Sequence, residues 1–456
     1  MPLTAAALLA LGLSACSSSP GASEPGTSAA TAVGATLQAM PLEMPAIGRT
    51  RDGDTIRLGG LSGLWFEGVD PATGELRFLS HTDRGPNGEP FEVAGTPARP
   101  FALPEFQPRL VRLACDPATG RARLVETVGL RQPDGRPVTG LANLHAAAPG
   151  RAFDDERCVD LRGSPLPDDP MGLDLEGICR TRDGAIWMVD EYRPSICRFS
   201  PEGVLQKRYV PEGSNAHGVA VGVEALPAVY AQRRINRGFE GVATDGEQVY
   251  AFMQSGLDNP DLPDDENSRK SRLVRILRFD PASERCTGEF AYILEPDGSD
   301  KIGDAAWIAP GRFLVIERDD TRGRTARQRI YEIDLAGATD VLGVAPEIAG
   351  PGGPLERLTA AQRARQGIVP VRKRLWVDLA RAGFADISAK AEGLAFVGPD
   401  RVALVNDDDF GMDAGFDPRT GRIAPRAQPP QSVLAILRAP MPVPAPAAAP
   451  AASPTL

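Results

Sequence analysis

The pattern of apolar and polar residues repeats five times along the chain. Each repeat has two short apolar segments separated by a turn rich in Gly, Pro or Asp, which is typical of a β-hairpin. The first segment begins beside a small or acidic residue, and the second ends in polar residues. The five predicted hairpins occupy residues 62–85, 174–194, 239–256, 303–320 and 391–411.

Further strand-like segments follow most of these hairpins, so each repeat predicts an antiparallel sheet of four strands. A ring of such sheets is a β-propeller, in which every blade presents the same corner to a central axis. The predicted fold is therefore all-β, a propeller of about six blades, with five visible and a degenerate one expected between 131 and 173. Helix is expected mainly in insertions near 224–236 and 354–366. A pair of β-sandwiches is the alternative, but it would not require the same polar residues in every repeat.

The two ends of the chain differ from this repetitive region. The first fifteen residues form an apolar segment that is too short to span a bilayer as a helix and is typical of a signal peptide. Leu13-Ser14-Ala15-Cys16 resembles a bacterial lipobox, which implies acylation of Cys16, and a plain secretory signal is the alternative. By the same resemblance, Ser17 after the cysteine implies an outer-membrane lipoprotein that faces the periplasm or the exterior. The predicted parts are a signal peptide (1–15), a lipidated N-terminus and linker (16–44), the propeller (45–438) and a Pro/Ala-rich tail (439–456).

Composition restricts the classes of partner. The chain has 50 Lys and Arg against 60 Asp and Glu, a net charge of −10, which argues against a nucleic-acid surface and suits cation binding. The five cysteines that follow Cys16 cannot all pair with one another. With three histidines and no Cys-x-x-Cys pair, a zinc site of the Cys/His type is not expected. We expect a monomer that contacts the membrane through its lipid anchor.

Acidic residues recur where the first strand of each hairpin begins and where the second strand ends. Because the two strands are antiparallel, both positions lie at the same edge of the sheet, so the acids are expected to converge on one axial face. Carboxylates at close range raise one another's pKa, and Ca²⁺, a hard cation served by oxygen ligands, would compensate their charge. The predicted metal ligands are Glu176, Glu240, Asp304, Glu317, Glu392 and Asp407.

Basic residues accompany these acids, and a metal beside Arg and Lys suits an anionic ester such as a phosphate. The expected substrate is therefore a small anionic ester. The predicted catalytic residues are Glu191, Arg193, Arg237 and Lys301, and Glu191 is also a candidate metal ligand. Two alternatives stay open. The acids could be structural, capping backbone N–H groups or pairing with neighbouring cations, and Ser62, His81 and Asp83 could form a nucleophilic triad.

These segments resemble the phytase-like family of bacterial envelope proteins, also described as "esterase-like activity of phytase", over about 45–438. The resemblance implies a propeller and calcium-assisted hydrolysis of phosphate esters. Ser62 replaces the glutamate in the first repeat, which departs from the family pattern. The alternative function is a non-catalytic envelope propeller that binds a ligand or partner, with a purely structural metal. The resemblance is carried by Glu-Gly at Glu176, Glu240 and Glu392, by Asp190-Glu191-Tyr192-Arg193, by Arg237-Gly238-Phe239-Glu240-Gly241 and by Asn406-Asp407-Asp408.

Overall fold

The part of the chain that the computed structural model describes forms five sheets of four or five strands, arranged in a ring. Each sheet is one blade, and its first strand packs beside the first strands of both neighbouring blades. This closed ring is a β-propeller, so the predicted all-β fold is confirmed. The described residues are 34–93, 95–143, 155–215, 219–257, 270–344, 346–349, 355–412, 416–417, 419–423 and 431–441.

The N-terminal strands and blade 1 occupy the first part of the described chain. Three strands precede blade 1: β1 Thr36–Pro41, β2 Ala46–Arg49 and β3 Thr55–Arg57. Blade 1 consists, in spatial order, of β4 Leu61–Val69, β5 Leu76–Thr82, β8 Arg109–Asp116 and β9 Arg121–Gly129. A separate small sheet combines β6 Phe91–Val93 and β7 Thr96–Pro100, which are inserted between β5 and β8, with β10 Arg157–Val159, which lies between blades 1 and 2 in the chain.

The other four blades follow in chain order, and each begins with a predicted hairpin. Blade 2 consists of β11 Leu175–Arg180, β12 Ile186–Asp190, β13 Ser195–Phe199, β14 Leu205–Pro211 and β15 Val223–Leu226. Blade 3 consists of β16 Phe239–Thr244, β17 Val249–Met253, β18 Leu273–Asp280 and β19 Arg285–Ile293. Blade 4 consists of β20 Lys301–Ala309, β21 Arg312–Arg318, β22 Arg329–Asp334 and β23 Arg372–Asp378.

Blade 5 combines strands from both ends of the described chain. It consists of β24 Ala391–Gly398, β25 Arg401–Asn406, β28 Val433–Arg438 and, as its outer strand, β1. A two-stranded excursion between its second and third strands is formed by β26 Phe416–Asp417 and β27 Arg422–Ile423. The predicted linker over 16–44 was therefore too long, because β1 pairs along its whole length with β28. This pairing closes the ring.

The predicted sixth blade is absent from the described residues, which contain five. Within 131–173 the structure instead has β10, which pairs with β7 in parallel and belongs to the small sheet. The first strands of blades 1 and 2, β4 and β11, pack directly against each other. This contact leaves no place for another blade in the ring, so the count of six was wrong.

Helices are short, and they occur in both predicted insertions but also elsewhere. The insertion near 224–236 contains a 3₁₀ helix, Ala228–Gln232, and the insertion near 354–366 contains a 3₁₀ helix and a capped α-helix. The α-helices are α1 Pro346–Ala349, α2 Ala360–Arg365 and α3 Phe384–Ile387. The remaining 3₁₀ helices are Gly323–Thr325, Val341–Gly343, Leu355–Arg357 and Asp409–Gly411. Among the described residues, no helix has the length and apolar character needed to cross a membrane.

In four of the five blades, a glycine that directly follows Ser62 or the glutamate of the first strand allows neighbouring blades to meet at the axis. A Cβ atom on Gly63 would lie 2.7 Å from the backbone of Gly177, and one on Gly177 would lie 2.7 Å from the amide nitrogen of Val242. Both distances are far below van der Waals contact, so any side chain there would separate the blades. Gly241 and Gly393 make equivalent approaches. Close packing at the axis therefore explains the glycine of the repeated Glu-Gly pair.

Blade 4 has an aspartate where the other blades have this glycine. The backbone of Gly241 in blade 3 packs against Asp304, in the same way that Gly177 packs against Gly241. Gly303, one residue earlier, therefore takes the place of the glutamate. Aligning Asp304 with the glutamates was wrong, because the order of the glycine and the acid is reversed in this blade.

The side chain of Asp304 fills the axis of the propeller. Its two carboxylate oxygens accept hydrogen bonds from the amides of Ala305, at 2.7 Å, and Leu394, at 2.8 Å. The amides of Val242 and Leu64 also donate to this carboxylate. Burial raises the pKa of Asp304 well above its ordinary value, against the effect of these four donors. Because the donors come from blades 1, 3, 4 and 5, one side chain ties most of the ring together.

Candidate functional site

A cavity of about 690 Å³ lies at the end of the axis where the first strands begin. Ten carboxyl groups and seven Arg or Lys side chains line it, so ionisable groups dominate its surface. The volume is in the range of small-molecule sites. The cavity brings together seven of the residues predicted for the site: Glu176, Glu191, Arg237, Glu240, Lys301, Glu392 and Asp407.

Three carboxylates from blades 1 and 2 lie close together, and we call them the acidic cluster: Asp83 and Glu176, which line the cavity, and Asp174, which is fully buried. One ligand atom from each residue lies within 4.8 Å of the other two, close enough to share a metal ion. Asp83 follows β5, Asp174 precedes β11, and Glu176 belongs to β11. Convergence of the end of one strand with the start of another, across two blades, creates the cluster.

The charge of the acidic cluster is only partly balanced. Burial raises the pKa of Asp174 to about 7, although Arg84 lies near it. Burial also raises the pKa values of Asp83 and Glu176 well above their ordinary range, and the charges of neighbouring carboxylates add to this. Nη1 of Arg84 lies 2.8 Å from Asp174. With one adjacent guanidinium for three buried carboxylates, the cluster must take up protons or a cation.

Glu191 extends this group toward the cavity. It directly follows β12, is almost fully buried, and its Oε1 has no hydrogen-bond partner among the described residues. Burial and the charge of Glu240 raise the pKa of Glu191 to about 8. A buried carboxylate oxygen without a partner is costly, and a hard cation bound by oxygens would satisfy it. The acidic cluster and Glu191 therefore fit a divalent cation such as Ca²⁺.

Carboxylates of blades 3 and 5 are instead paired with an arginine, although burial and the charge of Glu392 still raise the pKa of Glu240 to about 8. Arg318 forms ion pairs with Glu392 and, at 3.4 Å, with Glu240. It also lies 2.6 Å from Asp320, which accepts a second ion pair from Lys301 at 2.5 Å. Burial raises the pKa of Asp320, but Arg318 and Lys301 hold it below the usual range overall. Glu240 and Glu392, predicted as metal ligands, are therefore held by a guanidinium.

Lys390 plays the same part for the remaining predicted ligand in the cavity. Its Nζ lies 2.7 Å from Asp407 and also pairs with Asp409. Burial raises the pKa of Asp407, and Lys390 opposes this. Of the six predicted metal ligands, only Glu176 thus belongs to the acidic cluster.

Arg237, which is half-buried, differs from the other cations of the cavity. Among the described residues no carboxylate lies within ion-pair distance of it, and its Nη1 donates to the side-chain carbonyl of Gln254. Gln254 in turn donates to Glu240 at 2.6 Å. A guanidinium has five N–H donors, so Arg237 has the capacity to bind an anion that enters the cavity.

Three predicted site residues do not line the cavity. Asp304 lies at the axis, where four amides use its oxygens. Glu317 lies inside blade 4 and accepts hydrogen bonds from Tyr292 and Lys373. Arg193 is buried behind the cavity wall. The metal role of Asp304 and Glu317 and the substrate role of Arg193 do not fit these positions, because each side chain lies in the protein interior.

The alternative triad is not assembled either. Ser62 and His81 are both buried and do not line the cavity, and Nδ1 of His81 faces the carbonyl of Thr82. Burial lowers the pKa of His81 to about 4. A neutral, buried imidazole without a hydrogen bond to Ser62 in the described structure is not poised to activate a nucleophile.

Sequence reasoning did not select Asp174, and it considered Asp83 only as part of the triad. Asp174 had a usable signal, since it lies two positions before Glu176 and alternate residues of a strand share a face. Asp83 has the same relation to His81, but its proximity to blade 2 depends on the ring. The cluster combines residues of two blades, so the sequence of one repeat does not reveal it.

Comparison with known sequences gives one family and one curated relative. The model of the phytase-like family, "esterase-like activity of phytase", matches residues 56–410. An uncharacterised secreted protein of the fungus Arthroderma benhamiae is 29% identical over 242 residues, covering 45% of this chain and 47% of the fungal protein. The match thus spans about half the length of that relative.

Solved structures with similar chain paths are distant. A glycosyl hydrolase from Bacteroides ovatus has a TM-score of 0.35 at 9% identity, covering 88% of this chain and 90% of its own. A PQQ-bound aldose sugar dehydrogenase from Streptomyces coelicolor has a TM-score of 0.32 at 11% identity, covering 90% and 100%. At these scores neither structure bears on the activity of this chain.

Proposed function

This chain belongs to the phytase-like family, and from that premise we propose that it is an exported hydrolase that cleaves a phosphate ester with the help of a divalent cation such as Ca²⁺. The observation that carries the proposal is the division of one cavity into two parts. The acidic cluster with Glu191 suits a cation, and Arg237 suits an anion. A site for a phosphate ester with an assisting metal requires both.

The residues have distinct roles in this proposal. Asp83, Asp174, Glu176 and Glu191 would hold the cation, which when bound supplies positive charge that polarises the phosphoryl group. Arg237 binds and orients the phosphoryl oxygens. The ion pairs of Arg318 with Glu240 and Glu392 hold these three lining side chains in place.

Hydrolysis also moves protons. Water adds across the phosphorus–oxygen bond, so the phosphoryl group gains the hydroxyl and the alcohol leaves with a proton. Glu191 serves in this proposal as a ligand of the cation and not as the proton acceptor, because a carboxylate bound to a divalent cation is a poor base. Lys301 is the candidate donor to the leaving alcohol, because burial and the charges of Arg318 and Arg237 lower its pKa.

A substrate screen tests this function directly. Purified mature protein is assayed against chromogenic phosphate monoesters, phosphate diesters and carboxyl esters, with millimolar Ca²⁺ or with a chelator. We expect cleavage of a phosphate ester that depends on Ca²⁺. If no ester is cleaved under either condition, the hydrolase is rejected in favour of the non-catalytic ligand-binding propeller.

We propose that the protein reaches the cell envelope as a lipoprotein. The support is Leu13-Ser14-Ala15-Cys16, which lies outside the described residues, and the description of the fungal relative as secreted. Replacing Cys16 with Ser removes the thiol that would be acylated. We expect the variant in the soluble fraction and the wild type in the membrane fraction on fractionation of cells. Equal distribution of the two would contradict lipidation.

A further inference from the structure

Nearly all cations of the cavity are already neutralised by carboxylates of the protein. Using one of them for a substrate would leave its carboxylate without a partner, which is costly for the buried Asp174, Glu240, Glu392 and Asp407 and less so for Asp320, which is exposed. Arg322, at the mouth, is exposed and donates to the carbonyl of Ile387. The ion pairs join Arg84 to Asp174, Arg99 to Glu156, Lys301 to Asp320, Arg318 to Glu240 and Glu392, and Lys390 to Asp407.

Inside the cavity, Arg237 is therefore the guanidinium that can bind an anion without breaking an ion pair among the described residues. A single guanidinium can bind two oxygens of one phosphoryl group. A cation bound by the acidic cluster displaces the protons of these carboxylates. With the carboxylates ionised, the ten of the lining outnumber its seven cations by three, and Asp174 adds a fourth excess charge, so one divalent cation leaves the site negative. A substrate with many phosphoryl groups would be repelled by this field.

The rest of the lining suits hydroxyl groups. Side chains of Asn87, Asn236 and Ser388 face the cavity together with carboxylates such as Glu89, while apolar contacts are few. The side-chain carbonyls of Asn87 and Asn236 already accept one hydrogen bond each, from Arg99 and Arg84, and each keeps a second lone pair. The carboxylates also have further lone pairs, and a sugar or polyol offers many O–H donors to such acceptors. A cavity of about 690 Å³ has room for such an alcohol.

We infer that the substrate is a polyhydroxylated alcohol carrying one phosphoryl group, such as a sugar monophosphate, which Arg237 binds through that group. This inference rests on the proposed hydrolase and narrows it. It excludes a densely phosphorylated substrate such as myo-inositol hexakisphosphate. Hydrolysis then yields one inorganic phosphate and the free polyol, with water supplying the hydroxyl and the proton.

The test compares three phosphate monoesters at one buffered concentration of free Ca²⁺: glucose 6-phosphate, p-nitrophenyl phosphate and myo-inositol hexakisphosphate. We expect the highest kcat/KM for glucose 6-phosphate, a lower value for the phenyl ester, which lacks the hydroxyl groups, and no phosphate release from the hexakisphosphate. The inference is overturned if the hexakisphosphate is cleaved as efficiently as glucose 6-phosphate, or if the phenyl ester is the best of the three.

Arg237→Ala supplies the second measurement. We expect it to raise KM for glucose 6-phosphate about 10- to 100-fold, as for a lost hydrogen bond to a charged group, and to leave Ca²⁺ affinity nearly unchanged. Arg237→Lys should recover part of the loss. The matched control, Arg322→Ala, removes the same charge at the mouth and should have a much smaller effect. An unchanged KM in Arg237→Ala would overturn the inference.

Binding separates failure of this inference from failure of the proposed function. If the wild type cleaves none of the three esters, the hydrolase proposal fails. Inorganic phosphate is then titrated calorimetrically into the Ca²⁺-containing wild type and Arg237→Ala. Weaker binding of phosphate to the variant supports a single anion site at Arg237, and equal binding, or no binding to either, overturns it.

Discussion

Replacing Asp304 with Ala is expected to destabilise the protein more than any other single change considered. The substitution leaves the amides of Leu64, Val242, Ala305 and Leu394 without their acceptor at the axis. A buried N–H without a partner costs about 1–3 kcal/mol, so the summed loss in the free energy of unfolding is about 4 kcal/mol or more. Urea unfolding followed by circular dichroism measures it.

Two further variants make this expectation specific. Asp304→Asn keeps the shape but retains one acceptor oxygen, so we expect a smaller loss than in Asp304→Ala, and it serves if the alanine variant does not fold. Asp400→Ala removes an exposed acid that lies 3.9 Å from Arg438, for which a change near zero is expected. Asp304→Ala with wild-type stability would show that Asp304 does not hold the blades together.

Removing divalent cations is expected to make stability fall steeply as pH rises from about 5 to 8. The pKa is about 7 for Asp174 and about 8 for Glu191 and Glu240, against ordinary values near 4. In this window the folded state binds more protons than the unfolded state, so the free energy of unfolding decreases with pH. Each tenfold difference in proton affinity corresponds to about 1.4 kcal/mol, which implies several kcal/mol in total.

Calcium should reduce this fall, because a cation in the acidic cluster replaces the protons and stabilises only the folded state. The measurement is the melting temperature between pH 5 and 8.5, with a chelator and with millimolar Ca²⁺. The test variant is Glu176→Gln, which removes one charge of the cluster. It should weaken both the fall in stability with pH and the stabilisation by Ca²⁺. The same pH dependence with and without Ca²⁺ would mean that the cluster takes up protons and no cation.

The fold was largely predictable because its signal is local and repeated. Each hairpin, such as β11 with β12, is visible from its own apolar segments and turn. The number of blades was not, since it depends on whether β4 meets β11 directly, and the segment between them contains strand-like residues that form β10 instead. Closure by β1 also escaped prediction, because its partner β28 lies almost 400 residues further along the chain.

The sequence predicted at which end of the axis the candidate site lies, but not which side chains contact one another there. The repeated Glu-Gly pair placed Glu176, Glu240 and Glu392 at one end of the axis, and all three line the cavity. The neighbouring blade decides whether each glutamate meets a basic side chain or further carboxylates. Arg318 pairs with Glu240 and Glu392, whereas Glu176 lies beside Asp83 and Asp174. One exchange of glycine and acid in blade 4 sufficed to misplace Asp304.

The central claim is that the acidic cluster binds a divalent cation, and calorimetric titration with Ca²⁺ tests it most directly. The comparison uses wild type, Asp174→Asn and, as a control in the same cavity, Glu240→Gln, whose carboxylate is held by Arg318. We expect saturable binding to wild type, at least a tenfold weaker affinity in Asp174→Asn, which loses a charged ligand, and a smaller change in Glu240→Gln. No binding to wild type at millimolar Ca²⁺, or equal affinity in wild type and Asp174→Asn, would contradict the claim.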